Sequence, residues 1–335
     1  MRRATIGDVA ARAGVSTATV SRVINGGVVS GATAAKVWAA VDGLGYSPNA
    51  LTKSIFAGRA STIGVVIRDL SSPFYLDLIR GVDEVAAADG SLVMLGNTYR
   101  MHDREAAQVR AMDEQRVRGL IVTTGEAADP HARRMAENGT PCVIVSRTVP
   151  GMHSISLDNV AAGQLMAAHL TACGRSSVGV ITAGDRPAQN ERVEGLRRGM
   201  PGTVPASAEN DAEAAAAVGA LLASNPKLDA IACMSSRLTV AVHTALTASG
   251  LSIPDDVAFL TMDDFPWAAA LGITVVVQPT YEMGRKAAEL VVDPVDEPAA
   301  VVFEPALAVR TSCGEVSAPD REPADLSPRR TGHTE

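Results

Sequence analysis

Apolar positions recur at helical spacing from the first residues of the chain. Thr5 can cap a helix over Ile6–Ala13, where Asp8 sits at the third helical position, favourable at the positive helix start, and Val9 and Ala10 supply an apolar side. Gly14 ends it. Gly14-Val15-Ser16 makes a tight turn, Ser16 caps again, and Thr17 to Asn25 forms a second helix expected to bury Val20, Val23 and Ile24. Two short helices across a three-residue turn containing glycine predict a helix-turn-helix. A third helix, about Thr33 to Leu44, sets Val37, Trp38, Val41 and Leu44 on one face and stops at Gly45. Tyr46-Ser47-Pro48-Asn49 breaks the pattern, and residues 50–57 have helix-capable spacing over too few residues for a helix stable alone, since isolated helices under about 12 residues are marginal.

From residue 62 the period changes. Short Val/Ile-rich runs at Thr62–Ile67, Leu92–Leu95, Leu120–Val122, Cys142–Val145, Val178–Ile181, Ala230–Cys233, Val257–Leu260 and Thr274–Val277 alternate with amphipathic stretches such as Tyr75–Ala88, Asn159–Cys173, Ala212–Ala223, Thr239–Ser249 and Tyr281–Val292. This alternation predicts parallel sheets covered by helices, with too many strands for one small sheet. The expected architecture is an all-α helix-turn-helix head on an α/β core of two doubly wound parallel-sheet lobes. The head spans 1–47, a hinge helix and linker 48–61, the core 62–313, and a tail 314–335, rich in Pro, Ser and charge, is expected to be disordered.

Composition adds limits. With 47% apolar and 20% charged residues the chain has the material for a sizeable core, and no apolar run approaches the roughly 18 residues of a membrane span. The start carries no secretory apolar stretch, so a cytoplasmic location is expected, nucleoid-associated when on DNA. Cys142, Cys173, Cys233 and Cys313 are far apart and read as reduced core fillers, and His169 and His243 as packing or solvated residues. No Gly-rich phosphate loop, nucleophile elbow or His-Glu-x-x-His run stands in the sequence, so neither catalysis nor a cofactor nor a metal is expected. Charge is unevenly placed. Residues 1–60 hold seven cations against Asp8 and Asp42, a balance of +5, and the remainder carries −12 of a net −7. A small basic head before a large acidic body is the footprint of a domain that meets phosphate.

These residues resemble a known family. Thr5-Ile6-Gly7-Asp8-Val9-Ala10, Gly14-Val15-Ser16, Thr19-Val20-Ser21-Arg22-Val23-Ile24-Asn25 and Leu44-Gly45-Tyr46-Ser47-Pro48-Asn49-Ala50 resemble the DNA-binding head of the lactose/galactose repressor family. Ile63-Gly64-Val65-Val66, Pro73-Phe74-Tyr75, Leu157-Asp158-Asn159, Arg192-Val193-Glu194-Gly195 and Met262-Asp263-Asp264-Phe265-Pro266-Trp267 extend the resemblance through the body. It implies a homodimer that reads a pseudo-palindromic double-stranded DNA operator, most readily as a repressor, joined to a core like the periplasmic sugar-binding proteins. No membrane partner is implied.

On that resemblance the DNA-contacting residues are Thr5, Ser16, Thr17, Ala18, Thr19, Ser21, Arg22 and Asn25 in the head and Tyr46, Asn49, Ala50, Lys53 and Ile55 at its end and in the hinge. Thr17, Ala18 and Arg22 are placed to meet base edges, Arg22 by chelating guanine, while Thr5, Ser16, Ser21 and Asn25 suit phosphate anchoring. Ile55, where most relatives have leucine, is the expected minor-groove wedge, with Phe56 beside it, at a central pyrimidine–purine step. The effector is expected between the lobes at the carboxyl ends of strands. Phe74 and Tyr75 would line it, Arg147 and Arg192 donate to its oxygens, Asp263 accept from hydroxyls, Trp267 pack on a sugar face, and Arg237 take part. Ser146 and Ser235-Ser236-Arg237 depart from the family pattern. They leave open a neutral sugar, an anionic sugar phosphate meeting Arg147, Arg192 and Arg237, or a regulator without effector sensing. A sugar-binding transport component without DNA binding is the remaining alternative, and Asp158 reads equally as a helix cap or a functional residue.

Overall fold

The computed structural model describes residues 4–46, 61–315 and the backbone of 329–330. The chain divides at Ser61/Thr62 into two compact units.

The first unit is helical: α1 (Ile6–Ala13), α2 (Thr17–Ile24) and α3 (Gly31–Leu44) close on Val9, Ala10, Val20, Val23, Val37, Ala40 and Val41. Thr5 and Asp8 cap α1 reciprocally, the Asp8 N–H donating to Thr5 Oγ1 at 3.3 Å and the Thr5 N–H to Asp8 Oδ2 at 2.8 Å. Ser16 caps α2 and Ser30 caps α3, which begins at Gly31, two residues before the expected start of that helix. The expected packing face of α3 needs correction, because Trp38 is 46% exposed and Ala40 takes its place. Positions 37, 40, 41 and 44 share one side of a helix, whereas 38 lies about 100° further round. Ile24 is only half-buried.

The second unit holds two sheets. β1 (Thr62–Ile67), β2 (Leu92–Asn97), β3 (Gly119–Val122), β4 (Cys142–Val145), β5 (His153–Leu157), β11 (Ala300–Phe303) and β13 (Arg329–Arg330) form the first, in the order β13-β11-β5-β4-β3-β1-β2. Between its strands run α4 (Phe74–Ala88), α5 (His102–Glu114) and α6 (Asp129–Glu137). The chain then enters the carboxy-terminal lobe through α7 (Asn159–Ala172), β6 (Val178–Thr182), α8 (Pro187–Gly199), β7 (Val204–Ser207), α9 (Asp211–Ser224), β8 (Ala230–Cys233), α10 (Thr239–Ala248), β9 (Ala258–Met262), α11 (Pro266–Ala270) and β10 (Thr274–Val277). It returns through α12 (Thr280–Val292) and β11, then crosses once more to β12 (Ala306–Ala308), giving the sheet β12-β10-β9-β8-β6-β7. Pairing is parallel except for the edge strands β12 on β10 and β13 on β11. β13 falls within the segment read as a tail. An edge strand offers unpaired N–H and C=O groups to any backbone, whatever its side chains.

Alternation along β1 shows why both sheet faces are apolar: Ile63, Val65 and Ile67 join one buried cluster with α4 and α12, and Val66 joins another with Val109 and Met112 of α5. β5 escapes the apolar-run reading because Ser154 and Ser156 are buried polar positions. Ser154 Oγ meets this by donating to Met152 O at 3.1 Å and accepting the Val149 N–H at 3.0 Å. Two helix pairs cross at glycine. A Cβ on Gly81 of α4 would stand 2.1 Å from Tyr281 O of α12, and one on Gly163 of α7 would stand 2.0 Å from Arg192 O of α8. The four cysteines are free thiols; burial pushes Cys142 and Cys313 up to about 12 and Cys233 to about 11, which makes them inert packing groups. No helix among the described residues is long and apolar enough to cross a membrane.

Acid stability follows from one histidine in particular. His153 Nδ1 accepts the Ala299 N–H at 3.0 Å, tying β5 to the approach of β11, which only an unprotonated Nδ1 can do. Burial holds His153, His169 and His243 below their ordinary value of 6.5. The folded state therefore takes up these protons later than the unfolded chain, so stability present above that value is lost as pH falls through the folded ones. Melting midpoints taken from about pH 7.5 to about 5.5 should drop, and less steeply in His153→Gln. Equal slopes would contradict this account.

Candidate functional site

In the head, the packing of α2 decides which residues face out. Val20 and Val23 are turned into the helical core, which leaves Thr17, Ala18 and Arg22 exposed on the opposite side, together with Asn25 at the helix end. Ser16 Oγ accepts the Thr19 N–H at 3.2 Å and pairs with Thr19 Oγ1 at 2.9 Å, so it anchors the helix start while staying exposed. Asn25 Nδ2 donates to Ser21 Oγ at 3.3 Å. Gly27 is needed beside Arg22: a Cβ there would lie 2.5 Å from Arg22 Cγ, so its absence leaves the arginine stem room. Tyr46 packs partly buried against the head core. Asn49, Ala50, Lys53 and Ile55 lie outside the described residues.

In the core, a cavity of about 420 Å³ opens between the two sheets at the carboxyl ends of their strands. The amino-terminal lobe contributes Arg68 and Asp69 after β1, Phe74 and Tyr75 at the start of α4, Thr123 to Gly125 after β3, and Ser146 and Arg147 after β4. The carboxy-terminal lobe contributes Ala183, Asp185 to Gln189 and Arg192 after β6, Met234 to Arg237 after β8, Asp263 after β9 and Gln278 after β10. Of the residues expected to meet an effector, Phe74, Tyr75, Arg147, Arg192, Arg237 and Asp263 are brought together here. Trp267 is not: it packs on the carboxy-terminal lobe's core, 5.5 Å from the Phe265 ring. The Asp158 carboxylate accepts the Ala161 N–H at 2.8 Å, which is the helix-cap reading of that residue.

The arginines differ in what they already hold. Arg147 pairs with both oxygens of Asp129 and donates to Thr124 O and Gly125 O, both at 3.2 Å. Arg192, buried, donates from Nε to Asn159 Oδ1 at 2.8 Å, from Nη1 to Met234 O at 2.9 Å and from Nη2 to Gln278 Oε1 at 3.2 Å. Gln278 passes the link on, its Nε2 donating to Asp263 Oδ1 at 2.6 Å. Asp263 sits at φ 69°, a left-handed backbone that an aspartate tolerates, and burial pushes its carboxyl up while Ser236 and Arg192 oppose the shift. At the rim, Arg100 of one lobe and Arg237 of the other both donate to Glu209 O, at 2.7 and 2.8 Å.

Sequence reading overlooked Arg68, Arg186 and Gln278, each of which follows directly or closely on a strand. A polar residue just past the carboxyl end of a parallel strand was the available signal. The walls thus offer donors from both lobes, the buried carboxylate of Asp263, and the perpendicular aromatic pair Phe74–Tyr75 with centroids 5.1 Å apart. Such a set can hold a small polyhydroxy compound and draw the lobes together on it.

Residues 60–307 match the family model described as periplasmic binding proteins and sugar binding domain of LacI family, and residues 5–49 match bacterial regulatory proteins, lacI family. The chain is 31% identical to the HTH-type transcriptional regulator GalS of Salmonella typhimurium over 300 residues, 85% of this chain and 88% of that one. It is also 31% identical to the ribose operon repressor of Escherichia coli over 310 residues, 88% and 94% of the two chains. Among solved structures, the transcriptional regulator CelR in complex with cellobiose aligns at a TM-score of 0.67 and 29% identity, over 92% of this chain and all (100%) of that one. The Lac repressor dimer bound to operator and an anti-inducer aligns at a TM-score of 0.79 and 20% identity, over 94% and 100%, a likeness of fold.

Proposed function

The chain belongs to the LacI family of bacterial regulatory proteins, and on that footing we propose that it is a homodimeric repressor, without catalytic activity, whose hold on a pseudo-palindromic operator is set by a sugar-like effector in the cleft of its core. One observation carries the reading: a helix-turn-helix whose second helix leaves Thr17, Ala18 and Arg22 exposed stands on the same chain as a two-lobed core with polar side chains of both lobes facing one cavity. Each half does what the other needs. The head binds DNA but has nothing with which to sense, and the core holds a ligand but has no groove-reading element.

Effector binding would stabilise one spacing of the lobes, and a coupling of about 1–3 kcal/mol between cleft and head suffices for regulation. A single chain also leaves Leu76 and Leu92 of the amino-terminal lobe 66% and 71% exposed, large apolar groups that a second copy would cover. The protein would act in the cytoplasm, on nucleoid DNA.

Salt dependence tests the reading. Binding to duplex DNA should weaken along a straight line in log K against log salt, with a slope of about −0.9 for each phosphate neutralised. Lys53→Gln should make that slope shallower by about one while leaving the ranking of sequences unchanged. A flat salt response, or DNA binding no better than that of the isolated core, would instead favour a transport-type sugar-binding protein.

A further inference from the structure

We propose that the effector carries an anionic group, a phosphate monoester or a carboxylate, and that Arg68 and Arg186, one from each lobe, hold it across the cleft. The proposal rests on the cleft being the effector site and adds the charge of what it binds.

Two of the three cleft arginines pointed to by the sequence are occupied: Arg147 is filled by Asp129 and two carbonyls, and Arg192 by Asn159, Met234 O and Gln278, while Arg237 at the rim gives one bond to Glu209 O. Arg68 is different. Its Nε is buried with no hydrogen-bond partner, and the neighbouring Asp69 turns instead to Arg100, at 3.1 Å. Among the described residues Arg68 forms no ion pair. Leaving a charged donor unsatisfied in a buried position is costly unless something else supplies the acceptor.

Arg186 is placed to share that acceptor. It ends the loop after β6, immediately before α8, and lines the same cavity from the opposite lobe. Its Nε donates to Ala183 O at 2.5 Å, while the nearest carboxylate to its terminal nitrogens, on Glu209, stands 4.0 Å from Nη2 and is largely exposed. Both guanidiniums belong to the lining of one cavity, and burial first, with the Arg68 charge next, holds Arg186 down to about 10. The Tyr75 phenol feels both cations and is itself pushed up by burial, which keeps it a protonated donor beside them. The first turn of α8 has no side-chain cap, and Ala188 of that turn lines the cavity.

A neutral polyhydroxy ligand would leave the two cations repelling each other, whereas an oxyanion accepts from both at once and closes the lobes on itself. Thr124 Oγ1, also buried without a partner on the cavity wall, can serve a further oxygen or hydroxyl of the same ligand.

The test is calorimetric titration of the full-length protein with inorganic phosphate and acetate as minimal probes, and with glucose 6-phosphate, glucuronate and glucose. We expect saturable binding of phosphate or acetate at one site per chain, the better of the two naming the group, and a loss of about tenfold or more in Arg68→Gln. Arg80→Gln, which removes an exposed cation of α4 paired with Asp77, should bind like the parent. Should Arg68→Gln melt too low to be used, Arg186→Gln carries the same test from the other lobe. The proposal is overturned if neither small anion saturates, if Arg68→Gln and Arg80→Gln bind alike, or if glucose binds more tightly than both its charged counterparts. Operator binding is scored separately: DNA binding without anion capture removes this proposal and leaves the regulator standing, and anion capture without DNA binding does the reverse.

Discussion

Gly163→Ala should lower the melting midpoint of the core by about 2–12 °C, the shift that an overpacking strain of about 1–3 kcal/mol produces in a domain of this size. The added methyl would stand 2.0 Å from Arg192 O and 2.6 Å from Leu196 N, both backbone atoms of α8, and neither can swing aside as a flexible side chain would. The contact is reciprocal, since a Cβ on Gly195 would stand 2.1 Å from Val160 O of α7. Relief requires the helices to part, and both are pinned by buried Met166, Leu170, Val193 and Leu196. Parting them also draws Arg192 off Asn159 and Met234 O, so ligand affinity should fall along with stability. Gly219→Ala is the contrast. That glycine is exposed on α9 with nothing within 4 Å of the added atom, and the change should stabilise by about 0.5–1 kcal/mol through helix propensity alone. Calorimetric melts of the two variants check both, and equal midpoints would show that the α7–α8 contact does not limit the fold.

Arg22→Ala should cost about 1–3 kcal/mol on the best operator, roughly 5- to 150-fold, while affinity for random duplex changes far less. The asymmetry comes from what the residue offers. A guanidinium on the exposed side of α2 makes a bidentate contact that only guanine returns, whereas the phosphate contacts of its neighbours are indifferent to sequence. Competition binding against duplexes varied at each position should show preference relaxed at one base pair per half-site. A preference profile identical to the parent's would remove Arg22 from the reading role.

How far the sequence alone reached depends on whether a position answers to one constraint or two. Thr62–Ile67, Cys142–Val145, Ala230–Cys233 and Thr274–Val277 are strands with the expected ends, because a central strand in a parallel sheet is apolar on both faces and so reads as an unbroken run. β5, β7 and β12 escape that reading for the converse reason: Ser154 and Ser156 are buried polar positions, Ser154 held by hydrogen bonds, and Val204–Ser207 and Ala306–Ala308 are half-solvated edges. Trp38 misled because size was weighed above its angular place on the helix. In the cleft, residue type and a known pattern located Phe74, Tyr75, Arg147, Arg192, Arg237 and Asp263 on one cavity. They could not show which arginines are free. That depends on Asp129 and Asn159, partners brought in from other elements, and only the fold reveals that Arg147 and Arg192 are engaged while Arg68 is not.

Selection of bound duplexes from a random DNA pool, by full-length protein at moderate ionic strength, tests the central claim most directly. The account predicts recovery of a two-fold related pair of half-sites about one helical turn apart, bound by a dimer, with enrichment altered when a cleft ligand is added. Recovery of no common sequence by a protein that stays monomeric, with and without sugars and sugar phosphates, would contradict it.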